Sequence, residues 1–291
     1  MRGMFAESMT VGDAIDWGAE ILDESDESGP HSREDSMLLL RHVLGIPPAE
    51  MHAYRERPLT GLQTEAFNAL IQQRAHGTPI QHLTGEQEFF GLPFHVTPDV
   101  LVPRPETEHL VEAAIARLQH HPAPRIADVG TGSGAIAVAL AHALPHAEVV
   151  ALDISPAALG VAMRNSQRNH VTRRIRFVES DLLAAIQGES FDAIVSNPPY
   201  IAFSDRPTLP VEVREYEPAL ALFAGPTGLE FYQRLIPAAH LLLVPAGWLM
   251  MEIGHGQRDA VLALLEHQAW DAIEFIPDLQ SIPRVAIARK R

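Results

Sequence analysis

The sequence of 291 residues contains no cysteine, which excludes disulfide bonds, thiol nucleophiles and cysteine-ligated zinc. It also lacks a long hydrophobic run. Its most apolar stretch, 241–253, is short and is interrupted by Pro245 and Gly247, whereas a membrane-spanning helix needs about 20 apolar residues. Residues 1–16 do not contain the apolar segment of a signal peptide. We therefore expect a cytoplasmic protein that does not enter a membrane.

Positive charge is also scarce. The chain has 22 Lys and Arg residues against 37 Asp and Glu residues, so its formal net charge is −15. Proteins that hold nucleic acid usually neutralise the phosphates with clustered Lys and Arg side chains. The short basic groups at 173–176 and 289–291 are interpreted as solvated surface charge. Direct binding of nucleic acid is therefore not expected.

The 15 histidines are scattered along the chain. They do not include a His-x-x-x-His pair with an acidic partner, the arrangement typical of a helical zinc site. His120 and His121 are adjacent, so their side chains point in different directions on any helix. Surface or packing roles explain these residues better, and we expect no metal cofactor.

Helix-start signals dominate residues 1–84. Ser32 with Asp35 and Thr60 with Gln63 have the spacing of capping boxes, in which a hydroxyl and a side chain three residues later satisfy backbone N–H groups. Apolar residues recur behind these starts with helical spacing. The pattern predicts a small N-terminal helical bundle domain over 1–84, followed by a β-hairpin linker over 85–100.

Residues 101–291 alternate between helical and strand patterns. A helix is predicted to begin at Pro105, and the first strand comes after it. Strands are predicted at 125–129, 147–152, 175–178, 191–196, 246–253, 270–276 and 282–288. Such alternation is typical of a doubly wound, mainly parallel sheet with helices on both faces.

A glycine-rich turn, Asp128-Val-Gly-Thr-Gly-Ser-Gly134, connects the first predicted strand to a helix. Glycines at this place permit a tight turn and close approach of a ligand to the helix N-terminus. The G-x-G-x-G spacing is one residue shorter than the dinucleotide fingerprint, which favours a ligand without a pyrophosphate. Asp153 ends the second predicted strand, where a carboxylate can accept hydrogen bonds from ribose hydroxyls.

The third predicted strand is followed by Ser180-Asp181-Leu182. The Asp181 carboxylate could accept from an exocyclic adenine amine while Leu182 covers the base. Alternatively, Asp181 could be a helix-capping residue. The sequence alone leaves both interpretations open.

The fourth predicted strand ends in Asn197-Pro198-Pro199-Tyr200. The two prolines carry carbonyl acceptors without N–H donors, the Asn197 side chain adds an acceptor, and the Tyr200 ring can lie against a planar group. Such a segment suits a planar nitrogen nucleophile, whose N–H groups must be held by acceptors. Because the first and fourth strands flank the point where strand order reverses, we expect this segment to meet the glycine-rich turn.

With these residues in place, the chain resembles the S-adenosylmethionine-dependent methyltransferases, and among them the release factor glutamine N5-methyltransferases of the HemK/PrmC family. The resemblance covers nearly the whole chain. It rests on the following segments: 88–94, 101–108, 128–134, 196–200 and 252–254. Asn-Pro-Pro-Tyr is shared with adenine-N6 DNA methyltransferases, whereas the Pro103–Glu108 segment is specific to the family. The implied fold is a Rossmann-like, seven-stranded sheet with an N-terminal helical domain joined by a β-hairpin.

The resemblance implies that S-adenosylmethionine is the methyl donor and that the substrate is the glutamine of the Gly-Gly-Gln tripeptide in class 1 peptide chain release factors. It assigns cofactor binding to Gly130, Thr131, Gly132, Ser133, Gly134, Asp153, Asp181, Leu182 and Asn197. It assigns substrate binding to Asn197, Pro198, Pro199 and Tyr200, and catalysis to Asn197, Pro198 and Tyr200. The N-terminal domain is expected to recognise the protein substrate beyond the tripeptide.

Three alternatives share part of this pattern. A ribosomal protein could supply the glutamine, since a paralogous family has the same Asn-Pro-Pro-Tyr segment. A flipped adenine could take the place of the amide, as in adenine-N6 methylation of nucleic acid, although the negative charge weighs against it. A nucleotide-sensing module would need the glycine-rich turn and Asp153, but not the acceptor segment.

Overall fold

A computed structural model describes residues 9–27, 29–47, 50–51 and 53–291 of the protein. The chain divides into two compact units. The first comprises Met1–Gly85 and Leu209–Tyr216, and the second comprises Glu86–Thr208 and Glu217–Arg291. Residues 1–8, 28, 48–49 and 52 of the predicted N-terminal domain lie outside the described residues.

The elements are numbered along the chain. The helices are α1 (Val11–Asp23), α2 (Ser32–Leu44), α3 (Gly61–Ala75), α4 (Ile80–Thr84), α5 (Glu108–Leu118), α6 (Ala135–Ala143), α7 (Pro156–Arg168), α8 (Val211–Tyr216), α9 (Ala219–Leu222), α10 (Glu230–Leu242) and α11 (Arg258–Glu266). The strands are β1 (Glu86–Phe89), β2 (Leu92–His95), β3 (Arg125–Val129), β4 (Glu148–Asp153), β5 (Ile175–Glu179), β6 (Phe191–Ser196), β7 (Ile201–Ala202), β8 (Phe223–Gly225), β9 (Leu243–Glu252), β10 (Trp270–Pro277) and β11 (Pro283–Lys290).

The first unit is helical, and two of its helices begin with reciprocal caps. The Thr60 hydroxyl accepts from the Gln63 backbone N–H, and the Gln63 side chain accepts from the Thr60 N–H. Thr10 and Asp13 make the same exchange at the start of α1. Each cap satisfies N–H groups that a helix N-terminus otherwise leaves unpaired. The predicted capping box at Thr60 is confirmed.

The capping box predicted from Ser32 and Asp35 is wrong. Ser32 is already the first residue of α2, and no side chain caps that helix. Asp35 is buried instead and accepts a hydrogen bond from Arg74 Nε at 2.6 Å, while Arg74 Nη1 donates to Glu212 of α8. Burial raises the pKa of Asp35, and the guanidinium opposes that rise. The Asp35 carboxylate therefore links α2 to α3, and this contact cannot be seen from the local spacing of residues.

The second unit begins with the predicted hairpin, in which β1 and β2 pair antiparallel. It continues into a seven-stranded sheet with the order β10-β11-β9-β6-β3-β4-β5. The pairs β3/β4, β3/β6, β4/β5 and β6/β9 are parallel, whereas β11 runs antiparallel to β9 and β10. The expected adjacency of the first and fourth strands is confirmed by the β3/β6 pair.

Both faces of this sheet are covered, so the central strands are apolar on both sides. One core cluster combines strand side chains with α5 and α6, and the other combines them with α10 and α11. The short parallel pair of β7 and β8, together with α8 and α9, was not predicted. The doubly wound arrangement brings the carboxyl ends of β3, β4 and β6 to one edge, where the predicted site residues lie.

Among the described residues, no helix is long and apolar enough to cross a membrane.

Candidate functional site

A cavity opens at the carboxyl edge of the sheet in the second unit. Of the residues assigned from the sequence, those that line it are Gly130, Thr131, Gly132, Ser133, Asp153, Asp181, Leu182, Asn197 and Pro199. Gly134, Pro198 and Tyr200 are not among its lining residues. The structure thus brings the glycine-rich turn, the two aspartates, and Asn197 with Pro199 of the Asn-Pro-Pro-Tyr segment to one cavity, as the strand order requires.

The glycines of the turn differ in what they face. Gly132 has a positive φ of 53°, and a Cβ added there would meet no atom within 4 Å, so the space in front of it belongs to the cavity. Gly134 has a φ of 81°, and its Cβ would lie 3.0 Å from Ala162 Cβ of α7. Gly132 therefore allows a ligand to approach the backbone, whereas Gly134 allows α6 and α7 to pack closely.

Asp153 holds the turn in place. Its Oδ2 accepts from the Gly132 N–H at 2.8 Å, and its Oδ1 accepts from the Ser155 N–H at 2.9 Å. A carboxylate has about four lone-pair positions, so both oxygens retain capacity for further donors. The arrangement can accept a pair of neighbouring hydroxyl groups in the cavity, and the ribose role of Asp153 stays a prediction.

Asp181 is exposed and does not cap a helix with its side chain. Its Oδ2 accepts from Arg234 Nη2 at 2.6 Å, while the hydroxyl of Ser180 accepts the backbone N–H of Ala185. Leu182 has a φ of 51°, a left-handed conformation that costs free energy outside glycine and is often found in ligand clamps. Arg234 also lines the cavity, and no sequence signal had indicated it.

The Asn-Pro-Pro-Tyr segment is tied to a buried glutamate through two hydrogen-bond routes. Asn197 Nδ2 donates to Thr107 Oγ1 at 3.0 Å, and Thr107 Oγ1 donates to Glu252 Oε2 at 2.6 Å. The Tyr200 hydroxyl donates to Glu252 Oε1 at 3.3 Å. Both Thr107 and Glu252 stand in segments on which the family resemblance rests, but sequence reasoning gave neither of them a role.

Burial dominates the electrostatics behind this segment. It raises the pKa of Glu252 to about 7, against the lowering effects of the hydrogen bonds from Thr107 and Tyr200 and of the charge of Arg284. Burial, with the nearby Glu252 charge, also raises the pKa of Tyr200 above its usual range. Tyr200 is therefore neutral at physiological pH and acts as a donor and an aromatic surface, not as a base.

A second buried carboxyl group lies beneath the glycine-rich turn. Asp128 Oδ2 accepts from Thr131 Oγ1 at 2.6 Å and from the Ala137 N–H at 3.1 Å. Asp128 Oδ1 has no hydrogen-bond partner among the described residues. Burial raises the pKa of Asp128 to about 7. The carboxyl group therefore connects the turn to the start of α6, and its burial costs desolvation free energy.

These two buried groups predict how stability depends on pH. A carboxyl group whose pKa is about 4 in the unfolded chain and about 7 in the folded chain holds its proton longer in the folded state. The stability it contributes is full below about pH 4 and is lost as pH rises to about 7. We expect the free energy of unfolding, measured in urea, to fall between pH 5 and pH 8. In a Glu252→Gln variant this fall should be smaller by about 1–3 kcal/mol.

Glu266→Gln, which changes an exposed carboxylate to an amide, is the matched control and should retain the wild-type slope of stability against pH. Equal slopes in wild type and Glu252→Gln would contradict the assignment of a raised pKa to Glu252.

Within the described part of the chain, no group of three or more His, Cys, Asp or Glu residues is arranged to hold a metal ion.

Two family models match the chain. One, described as the PrmC N-terminal domain, matches residues 13–85, and the other, described as the Methyltransferase small domain, matches residues 108–209. Together they cover most of the helical first unit and the part of the second unit that carries the glycine-rich turn and the Asn-Pro-Pro-Tyr segment.

Curated relatives match over nearly the full length. The release factor glutamine methyltransferase of Koribacter versatilis is 41% identical over 97% of this chain and 99% of its own length. The protein of the same name from Geobacter sulfurreducens is 40% identical over 97% of this chain and 98% of its own length. The protein of the same name from Chlorobaculum tepidum is 44% identical over 87% of this chain and 88% of its own length.

Solved structures share the fold at lower identity. The catalytic domain of hMettl16, solved in complex with the MAT2A 3'UTR hairpin 1, matches with a TM-score of 0.58 and 17% identity over 86% of this chain and 90% of that one. A Thermus thermophilus 16S rRNA N2 G1207 methyltransferase, solved with AdoMet and guanosine, matches with a TM-score of 0.53 and 22% identity over 71% of this chain and 50% of that one. These two likenesses establish the methyltransferase fold of the second unit.

Proposed function

This chain belongs to the family of release factor glutamine methyltransferases, and from that premise we propose that it methylates the side-chain amide nitrogen N5 of glutamine in the Gly-Gly-Gln tripeptide of class 1 peptide chain release factors. The observation that carries the proposal is the shared cavity, which is lined by Gly132 and Asp153 at the carboxyl ends of β3 and β4, and by Asn197 and Pro199 at the carboxyl end of the neighbouring strand β6. A methyl donor and a planar amide can therefore lie side by side.

The residues of the cavity fit S-adenosylmethionine. The open space in front of Gly132 accommodates the methionine part beside Gly130, Thr131 and Ser133, and the free lone pairs of Asp153 suit a ribose diol. Adenine would lie near Asp181 and Leu182. When bound, S-adenosylmethionine supplies an electrophilic methyl group. Gly134 would act on the cofactor indirectly, through the packing of α6 that sets the course of the turn.

Asn197, Pro198 and Tyr200 would hold the glutamine amide. An amide nitrogen is a poor nucleophile because its lone pair is delocalised into the carbonyl group. The Asn197 side-chain oxygen and the Pro198 carbonyl would accept its two N–H groups, so they favour the positive charge that develops on nitrogen during transfer. Pro199 would stiffen the segment and the Tyr200 ring would pack on the amide plane. The proton can leave to water afterwards, because the nitrogen becomes acidic as the new bond forms.

We assign three parts of the chain to this function. Residues 1–84 would recognise the release factor beyond the tripeptide, 85–100 would form the linker, and 101–291 would carry out transfer, apart from the 209–216 segment, which belongs to the first unit. The separate helical packing of the first unit, with its own apolar core, supports an independent recognition role. Because the substrate is a translation factor, we expect the protein in the cytoplasm, which fractionation of cells would test.

The test is transfer of tritiated methyl groups from S-adenosylmethionine to purified release factor. We expect label in the intact release factor and none in its Gly-Gly-Gln variant with alanine in place of glutamine. A short peptide that contains the tripeptide should be labelled with a higher KM, because it lacks the surface that residues 1–84 would contact. Equal KM values for peptide and protein would count against the recognition role.

Ribosomal protein and single-stranded DNA, each offered in place of release factor, separate the remaining alternatives. Label in either of these and none in release factor would overturn the proposed substrate while leaving methyl transfer intact. Label in none of the three would overturn the assignment of methyl transfer to these acceptors.

A further inference from the structure

The direction of one hydrogen-bond chain decides which end of the Asn197 amide faces the cavity. Asn197 is half-buried at the carboxyl end of β6. Its side chain carries an oxygen, which accepts, and an NH₂ group, which donates. Only the oxygen can hold an N–H group of a substrate amide. A rotation of the terminal group by half a turn would present a donor instead and would repel that substrate.

Thr107 determines this choice because its hydroxyl has a single hydrogen. The hydroxyl lies 2.6 Å from Glu252 Oε2 and 3.0 Å from Asn197 Nδ2. Above its pKa of about 7, Glu252 is ionised and its carboxylate can only accept, so the Thr107 hydrogen then points to Glu252. The hydroxyl can then only accept from Asn197, which requires the NH₂ group of Asn197 to face Thr107. The side-chain oxygen is left on the opposite side.

Burial strengthens the preference for this direction of the hydrogen-bond chain. Thr107 and Glu252 are both buried, with 4% and 3% of their surfaces exposed, so solvent offers few substitute partners. An unpaired NH₂ or hydroxyl group in this place would lose its hydrogen bond to water without gaining another. The second oxygen of Glu252 is used as well, because it accepts from the Tyr200 hydroxyl. One carboxylate therefore orients both the polar and the aromatic ends of the Asn-Pro-Pro-Tyr segment.

We propose that Thr107 and Glu252 are positioning residues, which fix the Asn197 amide with its oxygen towards the substrate nitrogen. The proposal rests on the proposed methylation of a glutamine amide, and it adds the reason why that site accepts N–H groups. Thr107 lines the cavity and Glu252 does not, but the role assigned to them does not require contact with the substrate or the methyl donor. Their effect is transmitted through the side chain of Asn197 and, for Glu252, also through Tyr200.

The test compares Thr107→Val with Thr107→Ser at pH 8, where Glu252 carries its charge. Valine has the shape of threonine without the hydroxyl, so the Asn197 amide loses its fixed direction. We expect kcat on release factor to fall about tenfold or more, with KM for release factor and the dissociation constant for S-adenosylmethionine changed less than about threefold. Serine retains the hydroxyl and should restore kcat to within about threefold of wild type.

Thr172→Val is the matched control. The Thr172 hydroxyl is also hydrogen-bonded to a side-chain hydroxyl, that of Ser166 at 3.0 Å, and Thr172 does not line the cavity. This variant should retain wild-type kcat. Wild-type kcat in Thr107→Val, or an equal loss in Thr107→Ser and Thr107→Val, would overturn the proposal. Because wild-type activity is measured alongside, a failure of the methylation itself is recognised separately.

A spectroscopic measurement on the wild type depends neither on activity nor on the folding of the valine variant. The side-chain NH₂ signal of Asn197, assigned by its loss in Asn197→Asp, should show slow exchange with solvent in wild type and in Thr107→Ser. Fast exchange in folded wild-type protein would overturn the proposal. Slow exchange that persists in a folded Thr107→Val variant would also overturn it.

Discussion

Replacing Asn197 with alanine is expected to lower kcat on release factor by about 10²- to 10³-fold. The variant removes the side-chain oxygen that would accept an N–H group of the glutamine amide, an interaction that strengthens as charge develops on nitrogen. Affinity for S-adenosylmethionine should fall by less, because Asn197 is one of several cavity-lining residues assigned to the cofactor. Single-turnover rates with tritiated cofactor, together with calorimetric binding of the cofactor, measure the two effects.

Asn169→Ala is the control for this change. Asn169 Nδ2 donates to two backbone carbonyls, those of Pro93 and Asn165, so its loss weakens packing of the second unit without altering the cavity. We expect nearly wild-type kcat in this control. Wild-type turnover in Asn197→Ala would refute the role assigned to the Asn-Pro-Pro-Tyr segment.

Replacing Asp153 with alanine is expected to weaken binding of S-adenosylmethionine about a hundredfold. The proposed ribose contacts are two hydrogen bonds to a charged acceptor, each of which contributes about 1.5 kcal/mol or more. The variant also releases the Gly132 and Ser155 N–H groups that the carboxylate holds, so the glycine-rich turn loses its fixed course. Isothermal titration with S-adenosylhomocysteine measures the change without any need for transfer.

Asp259→Ala provides a comparison, because Asp259 is exposed and does not line the cavity. Its affinity for S-adenosylhomocysteine should equal that of wild type. An unchanged dissociation constant in Asp153→Ala would remove Asp153 from the cofactor site. A loss of affinity that is accompanied by unfolding at the assay temperature would assign Asp153 to the stability of the turn alone.

The sheet could be predicted because the sequence patterns that mark its strands and helices are local. Buried parallel strands such as β3 and β4 are short apolar runs, and each is followed by a helix with its own start signal. The adjacency of the first and fourth strands followed from the doubly wound pattern, in which these strands flank the point where strand order reverses. The strands that were misjudged, such as the beginning of β9 at Leu243, lie where Pro245 and Gly247 interrupt the local pattern.

The hydrogen bonds within the site could not be predicted in the same way. Thr107 and Glu252 are 145 residues apart, and their contact exists only after β9 has paired beside β6. Arg234 reaches Asp181 from α10, where nothing in the helix pattern marks it. Single residues with strong local chemistry, such as Asp153, were placed correctly at the cavity edge, whereas their partners depended on tertiary packing.

The membership of α8 in the first unit affects how the protein can be shortened. The chain leaves the second unit at Thr208, forms α8 beside its Arg74 partner, and returns at Glu217. The catalytic portion is thus interrupted in sequence, although it is compact in space. A gene fragment that starts after Gly85 would keep α8, but Glu212 would lose its ion-pair partner Arg74. A fragment that ends at Gly85 would lack α8. To obtain each unit with its full complement of partners, the 209–216 segment must be exchanged for a short linker in the larger piece and attached to the smaller one.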